Sequence, residues 1–282
     1  MMTDAHVAEA VRAALAEDVG AGDVTTESTV PAEHRSRGTI VAKGGGVIAG
    51  LDVAAAVFRE LDSGVSFVPA VADGDRVREG DAVAVVEGPT RALLTGERVA
   101  LNFLQRLSGV ATATAACVAM LSGGRTRVLD TRKTTPGLRA LEKYAVTVGG
   151  GLNHRMGLWD MVLIKENHIA AAGGISAAVE SSRRSHPDLK IEVEVGTLDE
   201  TAEALSAGAD RIMLDNMPAE EMRGAIALAR SVDEPPEIEV SGGVTGDTLR
   251  EMARLEPDFV SIGALTHSAA ALDLSFVLES QA

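Results

Sequence analysis

From residue 125 onward, short apolar runs alternate with amphipathic stretches. The runs lie at Arg127–Leu129, Met161–Ile164, Ile191–Val195, Arg211–Leu214, Glu237–Val240 and Phe259–Ile262. Between most of them, apolar positions at helical spacing predict helices over Leu138–Val148, Ser176–Arg184, Asp199–Ala207, Ala219–Ala229 and Thr245–Arg254. Strand–helix alternation of this kind predicts a parallel sheet joined by right-handed crossovers. The strands read as fully apolar, which suits a sheet buried on both faces. Six strands fall short of the eight in a complete barrel. An incomplete β/α barrel is the first expectation and an open doubly wound sheet the second.

Before residue 110 the pattern differs. Helices are expected over Ala5–Glu17 and Ala54–Leu61, among short strand-like pieces at Gly38–Lys43, Gly46–Ala49, Val65–Val71 and Ala82–Glu87. Gly44-Gly45-Gly46, Asp73-Gly74 and Glu79-Gly80 punctuate them as turns. Such a mixture fits an α+β layer or a small sandwich. A long helix near Leu94–Leu121 follows, with Ala100, Leu104, Leu107 and Ala111 on one apolar stripe and Arg98, Asn102 and Gln105 on another face. Within this region Asp73-Gly74-Asp75-x-Val77-x-x-Gly80 is similar to the hairpins of biotinyl- or lipoyl-carrier modules. A carrier needs a lysine at its exposed turn, and Phe67–Pro89 contains none, so the stretch reads as scaffold.

Composition narrows the function. The 282 residues carry a formal charge of −15 and only 2% aromatic residues. A nucleic-acid backbone would be repelled and its bases would find few rings to stack on, which argues against such a partner. The single cysteine, Cys117, excludes an internal disulfide framework and a cysteine-based zinc cluster, and its apolar surroundings make it a small buried hydrophobe. The amphipathic start lacks the apolar core of a signal peptide, and no apolar run reads as long enough to span a bilayer. A cytoplasmic place without membrane contact is therefore expected.

Chemistry collects at the strand ends. The first strand leads into Asp130-Thr131-Arg132-Lys133, the second into Lys165-Glu166-Asn167-His168, and the third ends at Glu194. The fourth runs into Asp215-Asn216, the fifth into Ser241-Gly242-Gly243 and the sixth into Gly263-Ala264. In barrels and doubly wound sheets alike, ligands bind at this end. Between residues 125 and 155, seven cations (125, 127, 132, 133, 139, 143 and 155) face two acids, Asp130 and Glu142, which suggests a cationic rim for small anions. Arginine can grip carboxylate or phosphate bidentately, each charge-assisted bond contributing roughly 1.5–3 kcal/mol. Backbone N–H groups at Ser241-Gly242-Gly243 and Ile262-Gly263-Ala264, each before a helix start, suit phosphate. Glu194 and Asp215 are the negative exceptions. They could bind a divalent metal, stabilise a developing cation, or form ion pairs with Lys133 or Lys165.

The stretch Leu129-Asp130-Thr131-Arg132-Lys133-Thr134-Thr135-Pro136-Gly137-Leu138-Arg139 resembles the signature of the quinolinate phosphoribosyltransferase family. So do Glu142-Lys143-Tyr144-Ala145-Val146, Gly149-Gly150-Gly151, Asn153-His154-Arg155 and Leu163-Ile164-Lys165-Glu166-Asn167-His168. The likeness continues through Glu192-Val193-Glu194-Val195, Met213-Leu214-Asp215-Asn216 and Ser241-Gly242-Gly243, and includes the earlier Gly96-Glu97-Arg98, Asn102 and Leu107-Ser108-Gly109. It spans most of the chain in the family's order.

The resemblance implies an α/β protein with an N-terminal α/β sandwich over residues 1–110, which the tail 268–282 could complete, and an incomplete barrel over 111–267. It implies a homodimer, with assembly beyond the dimer open, and a reaction of quinolinate with phosphoribosyl pyrophosphate that releases pyrophosphate and carbon dioxide in the presence of Mg²⁺. Arg132, His154 and Arg155 would grip the quinolinate carboxylates, with Thr131 and Arg139 in the same binding set and Arg98 reaching in from the partner subunit. Lys133, Lys165, Glu194 and Asp215 would surround phosphoribosyl pyrophosphate as the catalytic set, Glu194 and Asp215 also serving the metal. Ser241, Gly242, Gly243, Ile262, Gly263 and Ala264 would hold the 5′-phosphate, with His267 nearby.

Two other enzyme readings stay open. A barrel lysine after an apolar strand, Lys165, could form a Schiff base in a lyase or aldolase. A related phosphoribosyltransferase could take another aromatic acid, although the excess of arginines favours one with two adjacent carboxylates.

Overall fold

The computed structural model describes residues 2–121, 123–244 and 246–279, and of Gly246 and Asp247 the backbone. The chain opens with α1 (Asp4–Val19), α2 (Val24–Thr29), β1 (Arg35–Ala42), β2 (Gly46–Val47), α3 (Leu51–Leu61), β3 (Ser66–Pro69), β4 (Arg76–Val77) and β5 (Ala82–Pro89). The long helix α4 (Thr90–Met120) leads to β6 (Arg127–Leu129), α5 (Arg139–Val148), β7 (Val162–Ile164), α6 (Glu166–Ala172), α7 (Ile175–Ser185) and β8 (Ile191–Val195). It closes with α8 (Leu198–Ser206), β9 (Arg211–Asp215), α9 (Ala219–Arg230), β10 (Glu237–Ser241), α10 (Gly246–Ala253), β11 (Phe259–Ser261), α11 (Ala264–His267) and β12 (Leu274–Leu278). Two compact units result. One comprises Met1–Ala115, Thr134–Gly150 and Ala264–Ala282, the other Ala116–Lys133 and Gly151–Gly263.

The first unit is built on an antiparallel sheet of order β12-β1-β5-β3. Its central strand β1 alternates buried and less buried positions, with Ser36, Gly38, Ile40 and Ala42 turned inward. Val53, Ala54, Val57 and Phe58 of α3 and Leu93, Leu104 and Leu107 of α4 are likewise buried. β12 was not expected as a strand, yet Gly38–Ala42 pairs with Leu274–Leu278, so the C-terminal tail joins this sheet. Ser280–Ala282, the end of the expected completing segment, lie outside the described residues.

The carrier-like motif serves the scaffold. Asp73 accepts from the Gly50 and Leu51 N–H groups at 2.8 and 3.2 Å, capping α3 where Gly50 has no side chain to do so, and from the Tyr144 hydroxyl at 2.7 Å.

Two expectations change in this unit. Leu138–Val148 was expected as a barrel crossover, but α5 packs here. Its Glu142 is fully buried and accepts from Arg106 of α4 at 2.8 Å. Gly149 makes the approach possible, since a Cβ there would meet the Ala111 carbonyl oxygen at 2.5 Å. The expected boundary at 110/111 falls inside α4. α4 also has an apolar window of hydropathy 1.2 within its 31 residues, so by length and composition it could cross a membrane, contrary to the expectation; half of that window is buried inside the protein.

The second unit carries six parallel strands in the order β6-β11-β10-β9-β8-β7. From β7 to β11 each strand pairs with the next in sequence, and the first strand, β6, lies beside the last. A doubly wound sheet reverses its order part-way; a barrel does not. Leu152 adds a single parallel bridge to Leu129 on the outer side of β6. The architecture is thus an incomplete barrel.

Its strands are not fully apolar. Ile191-Glu192-Val193-Glu194-Val195 alternates, as does Glu237–Ser241, while Arg211–Asp215 carries a charge at each end of an apolar run. Register places Glu192 beside Arg211, Arg211 beside Glu237, and Glu239 beside Met213, on one face, while Val193, Ile212 and Ile238 share the other. Both faces are buried, but one is charged. The expected helix start at Thr245 lies outside the described residues.

Candidate active site

The C-terminal strand ends of the second unit carry the polar side chains that the sequence singles out. Asp130, fully buried just after β6, accepts from the His154 N–H at 2.9 Å. The turn that follows is tightened by the Thr131 hydroxyl, which accepts from the Lys133 N–H at 3.0 Å. Lys165 caps α6 directly after β7 and forms an ion pair with Glu194 of β8. The simpler of the readings for Glu194, an ion pair with Lys165, is therefore the one seen in this arrangement. Asp215 ends β9 and accepts from Asn216 Nδ2 at 2.8 Å.

After β10 the chain enters a turn that only glycine tolerates. Gly242 has φ +95°, and a Cβ there would lie 2.2 Å from Asn216 Oδ1. Gly243 follows at φ +58°. Ile262 donates its N–H to the Leu129 carbonyl at 2.9 Å, tying the turn after β11 to β6.

Arg132 and Arg155 are both half-buried. Burial first, and the Arg132 guanidinium second, hold Arg155 below the usual arginine range. Two like charges held near each other favour an anion between them. Arg155 also donates to the Met161 carbonyl at 3.1 Å, while its buried Nε has no hydrogen-bond partner among the described residues.

Beneath them lies a polar cluster of which the sequence reading named only His154, as a group gripping the acid. His154 Nε2 lies 2.9 Å from Glu192 and 3.5 Å from Glu239, and its Nδ1 accepts from the Arg155 N–H at 2.8 Å. That acceptor role places the ring proton on Nε2. Arg211 donates to Glu239 at 3.3 Å and to Glu237 at 2.8 Å, and stacks 4.4 Å over Phe259. Burial pushes Glu192 up to about 7 and Glu239 up to about 8, so one shared proton can satisfy the pair. His154, Glu192 and Glu239 bring three ligand-type atoms within 4.8 Å of one another, but Arg211 already supplies the cation. The available signal was the polar–apolar alternation of β8 and β10.

Four expected site residues belong to the first unit. Arg98 is exposed on α4, Arg139 begins α5 and donates to Thr134 Oγ1 at 3.0 Å, and Ala264 and His267 lie on α11. The cationic run does not act as one rim. Arg125 lies at the N-terminal end of β6 and pairs with Asp258, while Lys143 is fully buried in α5. Arg132, Lys133 and Arg155 are the members placed beyond strand ends of the barrel. Cys117 is only partly buried, and burial pushes its thiol up.

Comparison with known proteins decides the family. Residues 23–108 match the model for the quinolinate phosphoribosyl transferase N-terminal domain, and residues 110–277 that for the C-terminal domain. The chain belongs to the quinolinate phosphoribosyltransferase family. Within the family it is 44% identical to a probable nicotinate-nucleotide pyrophosphorylase [carboxylating] of Bacillus subtilis, over 92% of this chain and 89% of that protein. It is 42% identical to the nicotinate-nucleotide pyrophosphorylase [carboxylating] of Mycobacterium leprae, over 96% of each. The solved nicotinate-nucleotide pyrophosphorylase of Francisella tularensis superposes with a TM-score of 0.94 at 38% identity, over 99% of this chain and 98% of that one.

The donor set suits the metal expected for the family. Glu194 and Asp215 offer carboxylate oxygens at the ends of neighbouring strands on one side of the sheet, since Glu194 pairs with Met213 two residues before Asp215. Oxygen-only donors in small number fit Mg²⁺, which completes its shell with phosphate and water.

Proposed function

We propose that this protein transfers the phosphoribosyl group of phosphoribosyl pyrophosphate to quinolinate, with loss of one carboxylate as carbon dioxide. The products are nicotinate mononucleotide and pyrophosphate, a step of de novo NAD synthesis. The observation that carries the substrate is the juxtaposition of Arg132 and Arg155, two guanidinium groups suited to a small diacid. In this reading Arg132 and Arg155 form the acid-binding end, with Thr131 and Arg139 in support, and His154, whose ring nitrogens are both engaged inside the protein, supports Arg155 from behind. Lys133 and Lys165 face the pyrophosphate. Glu194 and Asp215 would hold Mg²⁺, which would neutralise charge on the leaving group when bound. The same carboxylates stabilise the positive charge that grows on the ribose as pyrophosphate departs. Ser241, Gly242, Gly243, Ile262, Gly263, Ala264 and His267 take the 5′-phosphate.

After transfer, the ring nitrogen is quaternary and can stabilise the carbanion left by decarboxylation. The protein then needs orientation and a desolvated pocket more than a dedicated base. The proposal includes a cytoplasmic homodimer in which Arg98 serves the partner's site. Against the Schiff-base alternative stands the ion pair of Lys165 with Glu194, which already occupies the amino group.

The test is a coupled assay with quinolinate, phosphoribosyl pyrophosphate and Mg²⁺. Stoichiometric nicotinate mononucleotide and carbon dioxide are expected, and neither when nicotinate replaces quinolinate. Turnover with another aromatic acid alone would keep the transfer chemistry and discard this substrate.

A further inference from the structure

Resting on the reading that Arg155 holds the aromatic acid, we infer that Glu239, together with Glu192 and Arg211, is a positioning residue for His154 and, through it, for Arg155. The chain of contacts is continuous. Arg211 anchors Glu239 at 3.3 Å, Glu192 and Glu239 face His154 Nε2, and His154 Nδ1 accepts the Arg155 N–H at 2.8 Å. Both ring nitrogens of His154 are thereby engaged inside the protein, and the carboxylates decide which of them carries the proton. With the proton on Nδ1 instead, the Arg155 N–H would face another hydrogen and the backbone would have to move.

All four side chains of the cluster are buried, and Glu192 and Glu239 are inaccessible to solvent. Nothing here touches the ribose or the pyrophosphate in the proposed assignment. The network therefore acts chiefly on the acid, Glu192 alone also feeling the charge of Lys165. Arg155 is a half-buried guanidinium whose useful position depends on its backbone, so a small shift of that backbone weakens the grip on the acid.

The experiment uses the full-length protein and the variants Glu239→Leu and Glu239→Gln, with KM for quinolinate and for phosphoribosyl pyrophosphate measured separately. Glu239→Leu is expected to raise the quinolinate KM by about tenfold or more, with the other KM changed less than about twofold. Glu239→Gln can hand an amide hydrogen to Glu192 and still accept from Arg211, so it should return the quinolinate KM to within about threefold of wild type. Equal rises in both constants, or no rise, would overturn the inference. Nitrogen NMR of the wild-type His154 ring provides a second readout that does not depend on a variant folding. It should show Nε2 protonated and Nδ1 not; the reverse tautomer would overturn the proposal. Failure of the wild type to use quinolinate at all would sink the substrate reading and leave the ring assignment to stand or fall by itself.

Discussion

Lys165 and Glu194 form an ion pair between the C-terminal ends of β7 and β8. The lysine side chain is 46% exposed and the glutamate 18%, so solvent screens the pair and its contribution to stability is about 1 kcal/mol or less. In the proposed reaction its value is to hold a cation and an anion ready at one point of the rim. Lys165→Met and Glu194→Gln should therefore leave the urea midpoint nearly unchanged while lowering kcat on the order of a hundredfold. A large loss of stability with little loss of kcat would make the pair structural.

Burial first, and the neighbouring Arg132 second, hold Arg155 below its usual range, so a dianion bound beside the two guanidinium groups would relieve an unfavourable charge. Arg155→Ala should weaken quinolinate binding by about 1.5–3 kcal/mol, a loss of roughly 10- to 100-fold in affinity. Phosphoribosyl pyrophosphate binding should change little. Calorimetric titration of each ligand alone checks this, and equal losses for both would contradict the assignment.

The strand order was legible because six short runs and their helices recur in step. The charged face inside them was not. In Ile191–Val195, three β-branched residues dominate the eye, while Glu192 looks like a surface charge until register with Arg211 turns it inward. The same limit hid Glu142, whose half-buried partner Arg106 is 36 positions away on another helix. α6 was missed because Lys165 gives no ordinary capping signal, its N–H being met by His168 Nδ1 instead. β12 was missed because its pairing partner, β1, lies at the other end of the chain. Rim residues such as Lys165 and Asp215 needed no such distant knowledge, since each follows its strand directly.

Arg98 is exposed on α4, where a large cation has no evident structural duty. If it serves the partner's site, Arg98→Ala and Lys133→Ala should each be nearly inactive alone. Unfolded and refolded together in equal amounts, they should regain roughly a quarter of wild-type activity, because half the dimers then hold one intact site. No recovery on mixing would place both residues in the same subunit's site.

Glu142 is fully buried, accepting from Arg106 at 2.8 and 3.0 Å and from the Thr135 hydroxyl at 2.7 Å. Arg106 also donates to the Ala269 carbonyl at 3.0 Å, so the pair joins α4, α5 and the segment after α11 within the first unit. Arg106→Met leaves a buried carboxylate without its cation and should cost about 3–5 kcal/mol. Adding Glu142→Leu should recover much of that loss. Thermal unfolding of the single and double variants tests the coupling, and a double variant less stable than Arg106→Met alone would refute it.

Glu239 and Asp258 give stability opposite pH dependences. Burial raises Glu239 to about 8 from an ordinary 4.5, so the folded protein keeps a proton that the unfolded chain releases. That stabilisation is complete below the ordinary value and declines as pH rises toward 8. Burial also pushes Asp258 up, but the Ile238 N–H, Arg230 and Arg125 outweigh it and hold the carboxyl below its ordinary range. Its stabilisation is present above that range and is lost as pH falls through the lowered value. Melting temperature should therefore fall between about pH 5 and pH 8, and Glu239→Gln, which cannot ionise, should flatten that decline. An unchanged slope in the variant would mean that another group holds the proton.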